Sequence, residues 1–146
     1  MNSLLSRRSA LAGLTAAAAL PVVPARAASM NLSIIYVSAK DCGPCQVFKA
    51  QDLPQWSKSL LAASVHLIEI DAPSVSVAFQ SRYWPAAARP FLAAASKIPI
   101  VPTFILVDGR DIVKIGTGIG GWRNQVLPQI PGMLNGEWFR GYQRLG

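Results

Sequence analysis

The sequence predicts an α/β fold with a mixed sheet of about four strands, in the order β-α-β-α-β-β-α, flanked by helices. Four short runs rich in β-branched and aromatic residues are typical of strands. Stretches of helical composition separate the first three runs, so we expect the first two strands to be parallel and joined by a helical crossover. Asp108-Gly109 separates the last two runs and indicates an antiparallel hairpin.

Each strand is predicted at an apolar run that ends at turn residues. The first run, LSIIYV, is almost wholly apolar and is typical of a buried strand. The second run, VHLIEI, alternates between apolar and polar residues, and the third, TFILV, is again apolar. These runs and the shorter fourth one cover residues 32–37, 65–70, 103–107 and 112–115.

The first helix is predicted directly after the first strand. Pro44 suits a first helical turn because its missing N–H has no partner there in any case. Residues 46–52 continue the helix, and Leu53-Pro54 is expected to kink or end it because a residue before proline avoids the α region. Helical character resumes over residues 56–63.

Two further helical regions follow. Residues 75–97 are rich in alanine, and Pro85 and Pro90 are expected to split them into short pieces. Residues 122–134 predict a last helix that proline interrupts. The four glycines of residues 116–121 predict a flexible loop before that helix, and their spacing differs from that of a phosphate-binding loop.

Length and composition favour one globular domain. The chain has 146 residues, of which 51% are hydrophobic and 14% charged, and this excludes intrinsic disorder. The only candidate membrane span, residues 9–25, is mostly alanine and contains Pro21 and Pro24. We therefore expect a soluble mature protein.

The N-terminal residues 1–27 predict a cleaved signal peptide. Arg7 and Arg8 precede a weakly apolar stretch, and the small residues Ala25 and Ala27 flank Arg26 in a cleavage site that would leave Ala28 first. Residues 6–11 resemble a twin-arginine export motif, which predicts a periplasmic location. An uncleaved anchor and an ordinary Sec signal are the alternatives.

Removal of this segment lowers the net charge. It takes three of the 14 basic residues and none of the seven acidic ones, so the formal charge falls from +7 to +4. The remaining 119 residues have no Lys/Arg cluster on one segment. We therefore expect no nucleic-acid partner.

The strongest chemical motif is Cys42-Gly43-Pro44-Cys45, between a strand and a helix. A Cys-x-x-Cys pair in a βαβ pattern indicates a redox dithiol, and two intervening residues let the sulfurs reach bonding distance. Cys42 is expected at the helix N-terminus, where N–H groups and the macrodipole favour a thiolate, so it is the predicted nucleophile. Cys45 lies inside the helix and is the predicted resolving cysteine.

Two other interpretations of the cysteines remain open at this point. They can form a purely structural disulfide, although a bridge that closes so short a loop stabilises little. They can also bind a metal with His66, the only histidine, but two cysteines and one histidine fall short of a four-ligand zinc site. We expect no metal, and His66 is expected to be a surface or packed residue.

The chain resembles the thioredoxin family over about residues 31–134. The residues that carry the resemblance are Cys42-Gly43-Pro44-Cys45 after a hydrophobic strand, Val101-Pro102-Thr103, Asp108-Gly109 and Gly116. The resemblance implies a thioredoxin-like domain over residues 28–146, with a helical insertion near residues 73–98. It also implies that Gly43 and Pro44 belong to the active-site motif.

The resemblance further implies how a substrate binds. Pro102 would be a cis proline that faces the disulfide. Val101 would offer its backbone to an extended substrate segment, which is recognition by strand pairing.

The chain departs from the family pattern at two positions near the dithiol. Asp41 stands where thioredoxins have tryptophan, and its carboxylate is expected to raise the pKa of the Cys42 thiol. Tyr36 stands where thioredoxins bury an aspartate that serves the second cysteine as proton acceptor. Glu69 and Asp71, near the end of the second strand, are the nearest candidates to replace it.

The resemblance implies an exported thiol–disulfide oxidoreductase whose only redox group is the Cys42–Cys45 pair, with no separate cofactor. Cys-Gly-Pro-Cys and Asp41 favour a reductase of protein disulfides. We expect a monomer that is recharged by a redox partner, for which a membrane thiol-transfer protein is a candidate. The alternative is a non-catalytic substrate-binding or chaperone-like module of the same fold with a structural or regulatory disulfide.

Overall fold

The computed structural model describes residues 31–135, and the predicted signal peptide, residues 1–27, lies outside them. Residues 28–30 and 136–146 of the predicted domain also lie outside. Within residues 31–135 no helix is both long and apolar enough to span a bilayer. The four strands are β1 Leu32–Ala39, β2 His66–Ala72, β3 Thr103–Asp108 and β4 Asp111–Thr117.

The strands form one mixed sheet in the order β2-β1-β3-β4. β1 and β2 are parallel, whereas β3 is antiparallel to both β1 and β4. Asp108 pairs with Asp111 across a two-residue turn, in which Gly109 has a positive φ of 59° that favours glycine. The predicted fold class, parallel pair and hairpin are confirmed.

Short helical segments cover the sheet. The α-helices are α1 Gly43–Val47, α2 Leu53–Lys58, α3 Leu92–Ala95, α4 Gly118–Gly121 and α5 Gln129–Leu134. Wider π turns occupy Phe48–Asp52 and Trp122–Val126. Tighter 3-10 turns occupy Leu60–Ala63, Val75–Val77, Ser81–Tyr83 and Arg89–Phe91.

A kink or an end is predicted at Leu53-Pro54, and the helix departs from α geometry just before this pair but continues past Pro54. The Leu53 N–H donates to the Phe48 carbonyl five residues earlier, which closes a π turn. A regular helix would bring the proline ring against the carbonyl four residues before it, and a wider turn relieves that clash. The helical path ends only at Ser59, whose backbone is extended.

The flexible loop predicted for residues 116–121 is also wrong. Gly116 lies in β4, and Gly118–Gly121 is α4. A Cβ on Gly116 would lie 2.5 Å from the Gly121 carbonyl oxygen, so the glycines allow a strand and a helix to pack backbone against backbone.

The sheet buries a separate apolar layer on each face. The layer beneath α1, α2 and α5 contains a run of aromatic contacts in which Phe48 lies between Tyr36 and Trp122, at centroid distances of 4.6 and 5.3 Å. The opposite layer contains Trp84, whose indole N–H donates to the Ala78 carbonyl over 2.9 Å. Residues 73–98 provide most of the cover on this second face, so they are part of the core.

Candidate active site

The two cysteines lie where β1 gives way to α1. Lys40 and Asp41 form a short turn, and the Cys42 N–H donates to the Ala39 carbonyl over 3.2 Å. Cys42 has an extended backbone and is the N-cap of α1, while Cys45 lies in its first turn. The two residues are joined by a disulfide with a Cα–Cα distance of 5.2 Å.

The two sulfurs have different surroundings. Cys45 is fully buried, whereas Cys42 retains 4% exposure and lies beside the exposed Gly43 and Pro44. The Cys45 N–H points at Cys42 Sγ over 3.1 Å. A backbone donor at a helix N-terminus stabilises negative charge on that sulfur, so the geometry favours Cys42 as nucleophile and the inner Cys45 as resolving thiol.

Val101 and Pro102 lie beside the disulfide. Val101 is half-buried and packs against the cluster of Ala39, Cys42 and Cys45. The Val101–Pro102 peptide bond is cis, and the Pro102 carbonyl accepts a 2.7 Å hydrogen bond from the Gly118 N–H. The structure therefore brings together the motif that precedes β3 and the dithiol that follows β1.

Asp41 has a structural partner that sequence reasoning missed. Its side chain is exposed, but Oδ1 accepts a 2.8 Å hydrogen bond from the Val75 N–H. This bond ties the turn before Cys42 to the first 3-10 turn of residues 73–98. No local pattern could reveal it, because the two residues are 34 positions apart.

Tyr36 lies fully buried beneath the dithiol. Its hydroxyl donates to the Cys45 carbonyl over 3.3 Å, and its ring stacks on Phe104 at 5.1 Å. Burial raises the pKa of Tyr36 above its ordinary value, while the neighbouring Ser38 hydroxyl opposes the rise in part. The phenol therefore stays protonated at neutral pH, as its hydrogen bond to the Cys45 carbonyl requires.

A cluster of charged and polar side chains lies next to Tyr36 at the edge of the sheet. Lys49 Nζ binds Glu69 Oε1 at 3.0 Å and Asp71 Oδ1 at 3.1 Å. Partial burial lowers the pKa of Lys49, but its hydrogen bonds to Glu69 and Asp71 outweigh this effect, so the pKa lies above its ordinary value. The buried Ser38 hydroxyl also donates to Asp71 Oδ1, over 3.4 Å.

His66 cannot join the cysteines in a metal site. It pairs with Ser33 at the start of the parallel strands, whereas the dithiol follows their far end at Ala39. Six residues of strand separate the two ends, or about 20 Å. Among residues 31–135 no three His, Cys, Asp or Glu side chains are grouped to hold a metal ion.

No protein-family model and no curated protein matches the chain. Among solved structures it is similar to thioredoxin of Malassezia sympodialis, at 19% identity and a TM-score of 0.49 over 68% of this chain and 77% of that one. It is also similar to oxidised thioredoxin of Plasmodium falciparum, at 19% identity and a TM-score of 0.47 over 69% and 83%. It is similar as well to the short form of spinach chloroplast thioredoxin f, at 18% identity and a TM-score of 0.46 over 70% of this chain and 76% of that one.

The fold can be assigned from features of this chain itself. They are a β2-β1-β3-β4 sheet with one parallel pair, a Cys-x-x-Cys disulfide at the helix N-terminus after β1, and a cis Val-Pro bond before β3. The described part of the chain has a thioredoxin-like fold with a Cys-x-x-Cys disulfide at the N-terminus of the helix that follows β1.

Proposed function

We propose that this protein is an exported thiol–disulfide oxidoreductase that reduces disulfides in other proteins. The observation that carries the proposal is the Cys42–Cys45 disulfide at a helix N-terminus, packed against Val101. In the reduced protein the Cys42 thiolate attacks a substrate disulfide and releases one substrate thiolate. The Cys45 thiolate then attacks Cys42 and releases the other, so two electrons pass to the substrate.

Substrate binding is assigned to the segment before β3. Val101 packs against the cluster that contains both cysteines and leads into an extended strand, so a substrate segment that pairs with its backbone would bring a disulfide close to Cys42. Gly43 and Pro44 are exposed and leave the outer side of the dithiol open. The partners are therefore protein disulfides and a separate reductant, for which a membrane thiol-transfer protein is a candidate.

Residues 1–27, with their paired arginines and small-residue cleavage site, support export. We assign the protein to the periplasm, where disulfides persist and a dedicated reductant has substrates.

One experiment tests activity and export together. The full chain is expressed in a bacterium, the periplasmic extract is fractionated, and intact mass and insulin-disulfide reduction with dithiothreitol are measured. We expect a species that begins at Ala28 and accelerates insulin reduction, and Arg7→Lys with Arg8→Lys is expected to block its export. A periplasmic species that retains Arg7 contradicts cleavage, and a correctly cleaved species without activity contradicts the enzyme.

The near-complete burial of Cys42 favours a second candidate, a non-catalytic binding module with a structural disulfide. Such a protein would leave the rate of insulin reduction at its dithiothreitol background. Its disulfide would also stay oxidised at dithiothreitol concentrations that reduce a redox-active cysteine pair.

The charge on Asp41 is expected to make the protein more reducing. A carboxylate beside Cys42 disfavours the thiolate and so destabilises the reduced form relative to the disulfide. Asp41→Asn removes the charge and keeps an oxygen that can accept from the Val75 N–H. We expect a lower Cys42 pKa and a potential more oxidising by about 30 mV or less, since 30 mV is a tenfold change for this couple.

A glutathione redox titration and a thiol pKa measurement check this prediction. The control is Asp52→Asn. Asp52 lies on the helical segment that follows Cys42, but its carboxylate pairs with Arg123 over 2.8 Å and not with a residue of the active site. A potential that is unchanged or more reducing in Asp41→Asn would show that the carboxylate does not act on Cys42.

A further inference from the structure

An apolar groove lies between the helical residues 52–61 and 122–131. Its volume is about 500 Å³, within the range of pockets that enclose a small organic ligand, so it has room for aromatic side chains. Trp56 and Trp122 line the groove and meet edge to face at a centroid distance of 5.5 Å. Further apolar lining comes from Leu61, Leu127, Pro128 and Pro131.

The rim of this groove is apolar and faces water. Pro128 and Pro131 are exposed, and Leu60, which follows the lining residue Ser59, is 92% exposed. Among residues 31–135 no other large hydrophobic side chain is more than 54% exposed. A contiguous apolar surface of this kind typically marks a place where another segment or molecule binds.

The chain leaves α5 on the side of the groove. Pro131 and Asn135 are four positions apart and share one face of the helix, and the Asn135 N–H donates to the Pro131 carbonyl over 3.1 Å. Along the helix axis this spacing corresponds to about 6 Å. The C-terminal segment, residues 136–146, lies outside the described residues and follows Asn135 directly. Three further residues span at most about 11 Å, so Trp138 is within reach of the groove.

The sequence of the C-terminal segment suits an apolar groove. Three of its 11 residues are aromatic, whereas aromatic residues make up 8% of the whole chain. The charged residues Glu137, Arg140 and Arg144 lie between the apolar ones and can stay in water while the others are buried. The apolar residues are Trp138, Phe139, Tyr142 and Leu145.

We propose that the C-terminal segment docks in this groove of its own molecule through its aromatic side chains. The groove residues Gln55 and Trp56 belong to an unbroken helical path over residues 43–58, which also carries Cys45. A docked segment therefore braces the helix of the dithiol from its far end. This docking is independent of the proposed redox activity.

A double-mutant cycle in the oxidised, full-length protein tests the contact. The segment variant combines Trp138→Ser, Phe139→Ser and Tyr142→Ser, and its control combines Glu137→Ser with Gln143→Ser. The groove variant is Leu61→Glu. Its matched control is Val113→Glu, because Val113 is partly buried against the same apolar layer but does not line the groove. The urea midpoint of unfolding is measured for each variant and each combination.

We expect the aromatic substitutions to lower the urea midpoint by about 0.5 M or more, because they remove apolar burial. In the Leu61→Glu protein the same substitutions should lower it by less than half as much, since the groove no longer binds the segment. In the Val113→Glu protein they should keep their full effect. The polar control should leave the midpoint unchanged.

Nuclear magnetic resonance measures the contact directly, even if Leu61→Glu fails to fold. We expect nuclear Overhauser effects between the Trp138 ring and the methyl groups of Leu61 and Leu127. Their absence would contradict the docking, as would an unchanged midpoint in the segment variant or equal effects in the Leu61→Glu and Val113→Glu proteins. If the effects join labelled to unlabelled molecules in a mixed sample, the segment of a second copy occupies the groove and the proposal is wrong.

Discussion

Cys42→Ser is expected to abolish thiol–disulfide exchange, whereas Cys45→Ser is expected to keep the first attack and to accumulate mixed disulfides. The reason is the asymmetry of the pair. Cys42 lies at the helix N-terminus and receives the Cys45 N–H over 3.1 Å, which favours its thiolate. Cys45 is buried, so it attacks only the neighbouring Cys42 sulfur, once that sulfur is bonded to a substrate. A serine hydroxyl at either position stays protonated at neutral pH and cannot replace the thiolate.

Alkylation by iodoacetamide and trapping of insulin peptides measure the two roles. At pH 7 the Cys45→Ser protein should react with iodoacetamide about tenfold faster than the Cys42→Ser protein, or more. The reason is that a thiol at a helix N-terminus has a pKa well below that of a free cysteine. It should also retain covalently bound insulin chains, which dithiothreitol releases. Equal or faster alkylation of the Cys42→Ser protein would reverse the assignment of nucleophile and resolving thiol.

Gly116→Ala is expected to cause a large loss of stability. The added Cβ would lie 2.5 Å from the Gly121 carbonyl oxygen and 2.9 Å from Val126 Cγ2. Two of its three nearest neighbours are backbone atoms, which cannot rotate away. Overpacking in a close-packed interior costs about 1–3 kcal/mol, and we expect the upper end or more because β4 and α4 must separate.

Gly120→Ala provides the matched control. Gly120 lies in α4, and outside the helix backbone the nearest atom to a Cβ placed there is the side-chain nitrogen of Asn124 at 3.8 Å, which is ordinary contact. Alanine in a helix is favoured over glycine by up to about 1 kcal/mol, so this variant should be neutral or more stable. Urea unfolding of both variants checks the pair, and equal midpoints would show that α4 does not pack on β4 as described.

The features that the sequence predicted correctly are those encoded within a few residues. The spacing of Cys42 and Cys45, the apolar runs and the Gly109 turn all act locally, and each was found at its predicted place. The error at residues 116–121 has the opposite origin. Glycine in an isolated pattern indicates flexibility, but the contact between Gly116 and Gly121 exists only once β4 and α4 pack together.

The surroundings of the dithiol were harder to predict for the same reason. Asp41 meets Val75 across 34 positions and Ser38 meets Asp71 across 33, so neither pair has a local signature. Glu69 and Asp71 were equivalent candidates in sequence. The register that places Asp71 opposite Ser38, and Glu69 opposite Tyr36, distinguishes them.

The two cysteines are close in sequence, whereas the residues that surround their disulfide come from distant parts of the chain. This contrast affects the order in which the disulfide and its surroundings form. The disulfide spans three positions, so closing its loop costs little entropy and requires no folded domain. The pairing of Ser38 with Asp71 and the packing of Val101 on Cys42 require a formed sheet, because they join residues far apart in the chain. The Cys42–Cys45 disulfide can therefore form before the chain folds. Its disulfide then becomes an effective exchange partner only after β1 has docked between β2 and β3.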